Sequence, residues 1–262
     1  MEATMKILVT NDDGINAEGI KKLVDALSDG EKTEVYVCAP KTQKSACGHG
    51  ITIHDSMSVE EVSFENAVMA YSIDGTPADC VKVGLELLEE RDVNIDMVFS
   101  GINMGGNLGT DVLYSGTVSA AIEGGLCGKP SVAVSVNSWK PKHYEYAIKL
   151  AVKAASYDIR DLDKEVIINI NTPNLPVEEI AGTKIVSLGI REYEEWFETV
   201  EKDDGNSHYQ YAGRPVFRDD YDSDTNDIGA SQEKYATITP LHYDLTNYEL
   251  MKKLKEKGVW DE

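Results

Sequence analysis

Residues 5–27, MKILVTNDDGINAEGIKKLVDAL, decide the fold. Lys6–Thr10 is a short apolar run suited to a buried strand. Ile20, Leu23, Val24 and Leu27 then recur at i, i+3, i+4 and i+7, the stripe of a helix packed on a sheet. The pattern repeats downstream: strand over Glu34–Ala39, helix from Thr76-Pro77 to about Leu88, strand over Met97–Ser100. A helix follows over Thr117–Leu126, a strand over Ser131–Val136, a helix over His143–Tyr157 and a strand over Glu165–Asn171. Ile51–His54, Ser58–Val62 and Val68–Ile73 read as shorter strands of an antiparallel excursion. Runs such as ILVT, VYVCA, MVFS and SVAVSV suit strands covered on both faces. The expected fold is therefore α/β, a mostly parallel sheet with flanking helices.

Composition shifts after Ile190. Residues 191–233 hold thirteen acidic and four basic side chains, yet seven of the chain's twenty aromatics. That is too aromatic for a solvating tail, and it reads as an extended C-terminal arm or hairpin that packs against another surface, such as another subunit. The expected organisation is an α/β core over 5–190, the arm over 191–233, and a strand (Tyr235–Thr239) and helix (Asn247–Lys257) within 234–262 that pack on the core or on a neighbouring subunit.

The 262 residues carry 25 Lys and Arg against 46 Asp and Glu, a net charge of −21. Such a field repels phosphate backbones and anionic membranes, so neither nucleic-acid scaffolding nor membrane binding is expected. A small anionic substrate would need a cation or a nest of backbone N–H groups. No apolar run reaches membrane-spanning length, and Met1–Lys6 lacks the basic lead of a secretory signal. Four scattered cysteines without a C-x-x-C pair suit a reducing compartment, so the cytoplasm is the expected location.

In a parallel sheet, ligands bind where strands end and loops begin. Three such loops carry chemistry: Asn11-Asp12-Asp13-Gly14 after the first strand, the Ser45 loop after Ala39-Pro40, and Gly101–Gly109 with Asn103 and Asn107. Asp12 or Asp13 could simply cap the next helix, with Gly14 supplying the turn. Adjacent carboxylates also attract a cation, and with Ser45 and Asn103 they form the all-oxygen set a hard divalent ion selects. The glycines, followed by Tyr114-Ser115-Gly116-Thr117 at a helix start, read either as a phosphate cradle or as a tight connection. Neither G-x-G-x-x-G after a strand nor G-x-x-x-x-G-K-[ST] occurs, which disfavours dinucleotide and P-loop enzymes. His49 reads as a surface residue or as one that approaches the rim from the Ser45 loop.

Several motifs in order carry a resemblance. Asn11–Ile15 with Ala17 and Gly19, Ala39-Pro40 with Ser45, Asp74–Val81, Ser100–Asn103 with Gly105 and Asn107, and Tyr114–Val118 with Ala120, Ala121 and Glu123 are similar to the SurE family of nucleotidases. The likeness resumes at Thr239-Pro240-Leu241 with Asp244-Leu245-Thr246. It implies a Rossmann-like core and a metal-dependent phosphomonoesterase acting on nucleoside 5′-monophosphates, with 3′-monophosphates open as substrates. It also implies a homodimer or homotetramer exchanging the C-terminal arm. Carried over by position, Asp12, Asp13, Ser45 and Asn103 would hold a divalent cation, Mg²⁺ or Mn²⁺. Asn11, Asn103, Asn107, Ser115, Gly116 and Thr117 would face the phosphate, and Asp12 and Asp13 would be catalytic. Both a cation-activated water and an aspartyl-phosphate fit this set. A non-catalytic nucleotide- or metal-sensing module on the same fold is the alternative. One departure stands out: the family often has Thr-Asp-aromatic where this chain has Asn226-Asp227-Ile228.

Overall fold

The computed structural model describes residues 4–30, 32–156, 165–194, 196–202, 204, 206–216 and 221–258. Its centre is a nine-stranded sheet in the order β3-β4-β2-β1-β5-β6-β7-β13-β8. The strands named so far are β1 (Met5–Thr10), β2 (Thr33–Pro40), β3 (Val59–Glu61), β4 (Met69–Ile73), β5 (Met97–Met104), β6 (Ser131–Val136), β7 (Ile167–Thr172), β8 (Gly182–Ile185) and β13 (Tyr235–Leu241). From β4 to β7 every neighbour is parallel, while β3 pairs antiparallel with β4, and β13 pairs antiparallel with β7 but parallel with β8. The chain runs outward from β1 through β2 to β4, then crosses to β5 on the other side of β1. This reversal of strand order between β1 and β5 is the crevice where such sheets bind ligands.

Alternation along β1 supplies both layers. Ile7 and Val9 join one core with Ile20, Leu23 and Val24 of α1 (Glu18–Leu27) and Ala147 and Leu150 of α4 (Glu145–Ser156). Leu8 joins the opposite core with Cys80, Val81 and Leu88 of α2 (Pro77–Glu89) and Ala120 of α3 (Gly116–Leu126). Gly19 sets the first layer's spacing: a Cβ there would lie 1.9 Å from the Ile102 carbonyl oxygen, so α1 sits directly on the β5 backbone. α2 begins as its sequence implies, with Thr76 and Asp79 forming a reciprocal capping box and Pro77 at the first position.

Three expectations need correction. Ile51–His54 is not a strand. Its neighbourhood is tied down by side chains instead, with Thr52 N–H and hydroxyl donating to Asp79 and the Thr76 hydroxyl to the Gly50 carbonyl. β5 does not stop at Ser100 but continues to Met104 through a bulge, where Ser100 to Asn103 on β5 spans Ala133 to Ser135 on β6. β8 was not expected at all. The helix end expected at Tyr157 lies outside the described residues, as do 195, 203, 205 and 217–220 of the arm.

Within 191–233, β9 (Tyr193–Glu194) pairs with β12 (Arg214–Pro215), and β10 (Phe197–Val200) pairs with β11 (His208–Tyr211). Tyr193, Trp196, Phe197 and Tyr211 make ring contacts 5.8–6.4 Å between centroids. The segment is not all arm: α5 (Asp227–Gln232) is mostly buried and packs on β13. α6 (Tyr248–Glu256) closes the described chain.

Candidate active site

β1 delivers Asn11, Asp12 and Asp13 to the carboxyl rim at the switch point. Their turn is stapled locally: Asn11 Nδ2 donates to the Gly14 carbonyl at 2.9 Å, and Gly14 takes φ +95°, a conformation costly for other residues. Asp12 is only 5% exposed, and its Oδ1 accepts the Thr117 hydroxyl at 2.6 Å. Gly116 permits this approach of α3, since a Cβ there would stand 2.8 Å from Asp12 Cβ and 3.1 Å from Cys47 Sγ. Asp13 Oδ2 accepts the Met104 N–H at 3.0 Å, and Oδ1 accepts Gln43 Nε2 at 3.3 Å. The same Gln43 nitrogen donates to Ser45 Oγ at 2.9 Å. The loops after β1 and β2, the end of β5 and the start of α3 therefore meet around one point.

Burial pushes the Asp12 carboxyl up to about 6; the Thr117 hydroxyl partly offsets this and the neighbouring Asp13 charge adds to it. Burial also raises Asp13, opposed by the Met104 N–H and Gln43. Among the described residues no Lys, Arg or His bonds either carboxylate, so the pair lacks a compensating cation. The remaining donors are oxygens. Asn103 commits its Nδ2 to the Gly105 carbonyl at 2.8 Å, which leaves Oδ1 as its free end. Three more buried oxygens here, Thr10 Oγ1, Asn11 Oδ1 and Ser100 Oγ, have no partner among the described residues, and Thr10 and Ser100 are paired across β1 and β5. A hard cation with its ordered waters fits such a set. Among the described residues no cluster of three or more His, Cys, Asp and Glu forms a different metal site.

Ser115 caps α3, accepting the Val118 N–H at 3.0 Å, so Ser115, Gly116 and Thr117 form the helix start beside Asp12. Asn107 belongs to an adjoining polar nest. Its N–H donates to Asn171 Oδ1 and its Nδ2 to Ser135 Oγ, while its carbonyl accepts Asn169 and Asn171. The polar pair Asn169 and Asn171, spaced by two at the end of a buried strand, was a readable signal for this nest.

Other supporting residues escaped the sequence. Asp227 is fully buried and accepts the N–H of both Gly109 and Gly189 at 2.8 Å, pinning the turn that leads to α3. Ile228, at the family departure, is buried with a Gly109 Cβ position 2.8 Å from its Cδ1. His49 is more than a surface residue: its Nε2 lies 2.7 Å from Glu123 Oε2, and Lys82 Nζ donates to Glu123 Oε1 at 2.7 Å. These bonds, His49's first, hold the buried Glu123 carboxyl below its ordinary range and fasten the Ser45 loop to α3.

Comparison with known proteins bears on this arrangement. A family model described as "Survival protein SurE" matches residues 7–195. The chain is 46% identical over 261 residues to a protein named 5′-nucleotidase SurE from Alkaliphilus metalliredigens, covering 97% of this chain and 99% of that one. It is also 46% identical over 257 residues to the protein of the same name from Carboxydothermus hydrogenoformans, covering 96% and 95%. Among solved structures, the SurE protein from Aquifex aeolicus superposes with a TM-score of 0.79 at 34% identity, covering 96% of this chain and 99% of that chain.

Proposed function

Since the chain belongs to the survival protein SurE family, it is a 5′-nucleotidase, and we propose that it hydrolyses nucleoside 5′-monophosphates at the Asp12–Asp13 site with a divalent cation. The observation that carries the site is a buried Asp12 carboxylate beside the half-buried Asp13, both raised in pKa and held by neutral partners alone, with unpartnered buried oxygens close by. Asp12, Asp13, Ser45 and Asn103 would hold the cation, with Mg²⁺ or Mn²⁺ as the fitting choices. Such a cation supplies a Lewis acid for the phosphoryl group and lowers the pKa of water.

The chain's own residues do the rest. Thr117 fixes the rotamer of Asp12, and Gln43 holds Asp13 and Ser45 together. The first turn of α3, Ser115–Thr117, would face the phosphate with its helix-start dipole and steady charge on the phosphoryl oxygens. Asn11 and Asn107 would support this cradle from the two flanking loops. No observation favours the sensor alternative.

The deciding experiment measures phosphate released from nucleoside 5′- and 3′-monophosphates, a sugar phosphate and a dinucleotide, each with Mg²⁺, Mn²⁺ or chelator. Cation-dependent release from nucleoside monophosphates is expected, with much less from the sugar phosphate, because contacts to base and ribose position the reacting group. Nucleotide binding without phosphate release from any monoester would refute the assignment.

The arm supports an oligomeric reading. Phe197, Tyr209 and Tyr211 of the β10–β11 pair and Trp196 just before it are more than half exposed, an unusually apolar surface for a monomer. Its base is fastened to the core, Tyr193 Oη donating to Asp111 Oδ2 at 2.5 Å with Arg191 3.4 Å from the same oxygen. A homodimer or homotetramer is expected by light scattering, and a monomer at micromolar concentration would end this part of the proposal. Among the described residues no helix is long and apolar enough to cross a membrane, and the cytoplasm is the proposed location.

A further inference from the structure

We propose that Trp139 is the platform on which the base of the nucleotide stacks, an inference that rests on the nucleotidase reading above. Trp139 follows the buried carboxyl end of β6 and is 80% exposed, between the half-buried end of β5 and the buried end of β7. The turn that carries it is pinned rather than loose. Asn137 N–H donates to the Thr172 carbonyl, Asn137 Nδ2 to Ser231 Oγ, and Ser138 N–H to the Val136 carbonyl.

The ring has a definite seat. A Cβ built on Gly105 would lie 3.4 Å from Cζ3, 3.5 Å from Cη2 and 3.6 Å from Cε3 of Trp139. Near-equal distances to three consecutive ring atoms mean that Gly105 sits over the face of the ring, since an approach along its edge would single out one atom. Gly105 has φ +118°, and its carbonyl accepts Asn103 Nδ2 while its N–H donates to the Val136 carbonyl. Asn103, two residues earlier, belongs to the proposed cation site, so Gly105 stands within about 7 Å along the chain from it and the ring lies just beyond Gly105. One face of the indole is thus fixed to the backbone of the catalytic rim, and the other is open to solvent.

That geometry fits a nucleobase. With the phosphate at Asp12, Asn103 and the start of α3, a base one ribose away on the Gly105 side would meet this open face. A flat π surface recognises any base by stacking, without charge, and gives larger overlap to purines than to pyrimidines. The platform therefore predicts broad acceptance of bases with a purine preference.

The test compares wild type, Trp139→Ala and Trp139→Phe on purine and pyrimidine nucleoside 5′-monophosphates and on ribose 5-phosphate. For Trp139→Ala, the ratio of kcat/KM on the purine nucleotide to that on ribose 5-phosphate is expected to fall about ten-fold. The loss should appear in KM rather than kcat, and Trp139→Phe should recover most of it. Equal losses on both substrates, or no change in the ratio, would overturn the proposal. So would a change in oligomeric mass in Trp139→Ala with the ratio unmoved, which would place the ring in a subunit interface. A second readout is independent of turnover: in Trp196→Phe/Trp260→Phe protein, the remaining tryptophan should be quenched saturably by a nucleoside 5′-monophosphate and not by ribose 5-phosphate. Absence of quenching counts against the platform even if turnover is normal, whereas quenching without turnover of any monoester defeats the nucleotidase reading and leaves the platform standing.

Discussion

Asp12→Asn will cost more than about 100-fold in nucleotide turnover and will also stabilise the cation-free protein. The loss follows from its proposed place in the site: removing even an outer partner of a metal ligand costs about 10–100-fold, and Asp12 would be a ligand itself. The gain in stability follows from burial. At 5% exposure and with Asp13 adjacent, the carboxylate is held with its pKa up to about 6 against an ordinary 3.8, a penalty of about 3 kcal/mol once it is ionised. Asparagine keeps the Thr117 hydrogen bond, because its Oδ1 still accepts, and it sheds this penalty, which is already net of what the Thr117 hydroxyl offsets. A gain of up to about 3 kcal/mol is expected.

The pH dependence has a definite sign. A carboxyl raised in the folded state favours folding when protonated, so its penalty is full above about pH 6 and disappears as pH falls toward 3.8. In chelator, the wild type should therefore gain on the variant as the solution is acidified through this window. Thermal unfolding of both proteins between pH 4 and 8, with phosphate release measured alongside, checks each part. Near-normal turnover in a folded Asp12→Asn/Asp13→Asn protein would remove the site from consideration.

The parts of this molecule that were legible are those whose causes are local. The apolar run before Asn11, the stripe from Ile20 to Leu27 and the Thr76-Pro77 cap are written in consecutive residues, and the sheet and both helix layers follow from them. The convergence of Asp12, Ser45 and Asn103 was legible through topology, because strand ends of a parallel sheet share one rim. What escaped depends on distant partners. Ile51–His54 alternates like a strand, but Asp79, well along the chain, offers Thr52 better bonds than a ladder would. Gly101 reads as a strand end, and only pairing with β6 shows that the strand continues through a bulge. Glu123 reads as one acidic residue in a helix until His49 and Lys82, 74 and 41 positions away, are brought against it.

Binding of Mg²⁺ or Mn²⁺ to the protein should be visible without any substrate. A ligand that binds the folded state alone stabilises it by about 2.7 kcal/mol at one hundred times its Kd. For a chain of this size that corresponds to a rise of roughly 5–10 °C in Tm. The rise should be large here for a specific reason: the cation relieves the repulsion and desolvation that burden Asp12 and Asp13, and no Lys, Arg or His among the described residues bonds to either carboxylate in its stead. Asp12→Asn, already relieved, should show little of it, so the cation effect and the substitution effect are two routes to one relief and will not add. Chelation should return the wild type to its lower Tm and stop phosphate release together, since among the described residues no Lys, Arg or His bonds Asp12 or Asp13 and the net −21 field opposes an anionic substrate. Full turnover after exhaustive chelation, or an equal cation-induced shift in the Asp12→Asn/Asp13→Asn protein, would show that the cation sits elsewhere.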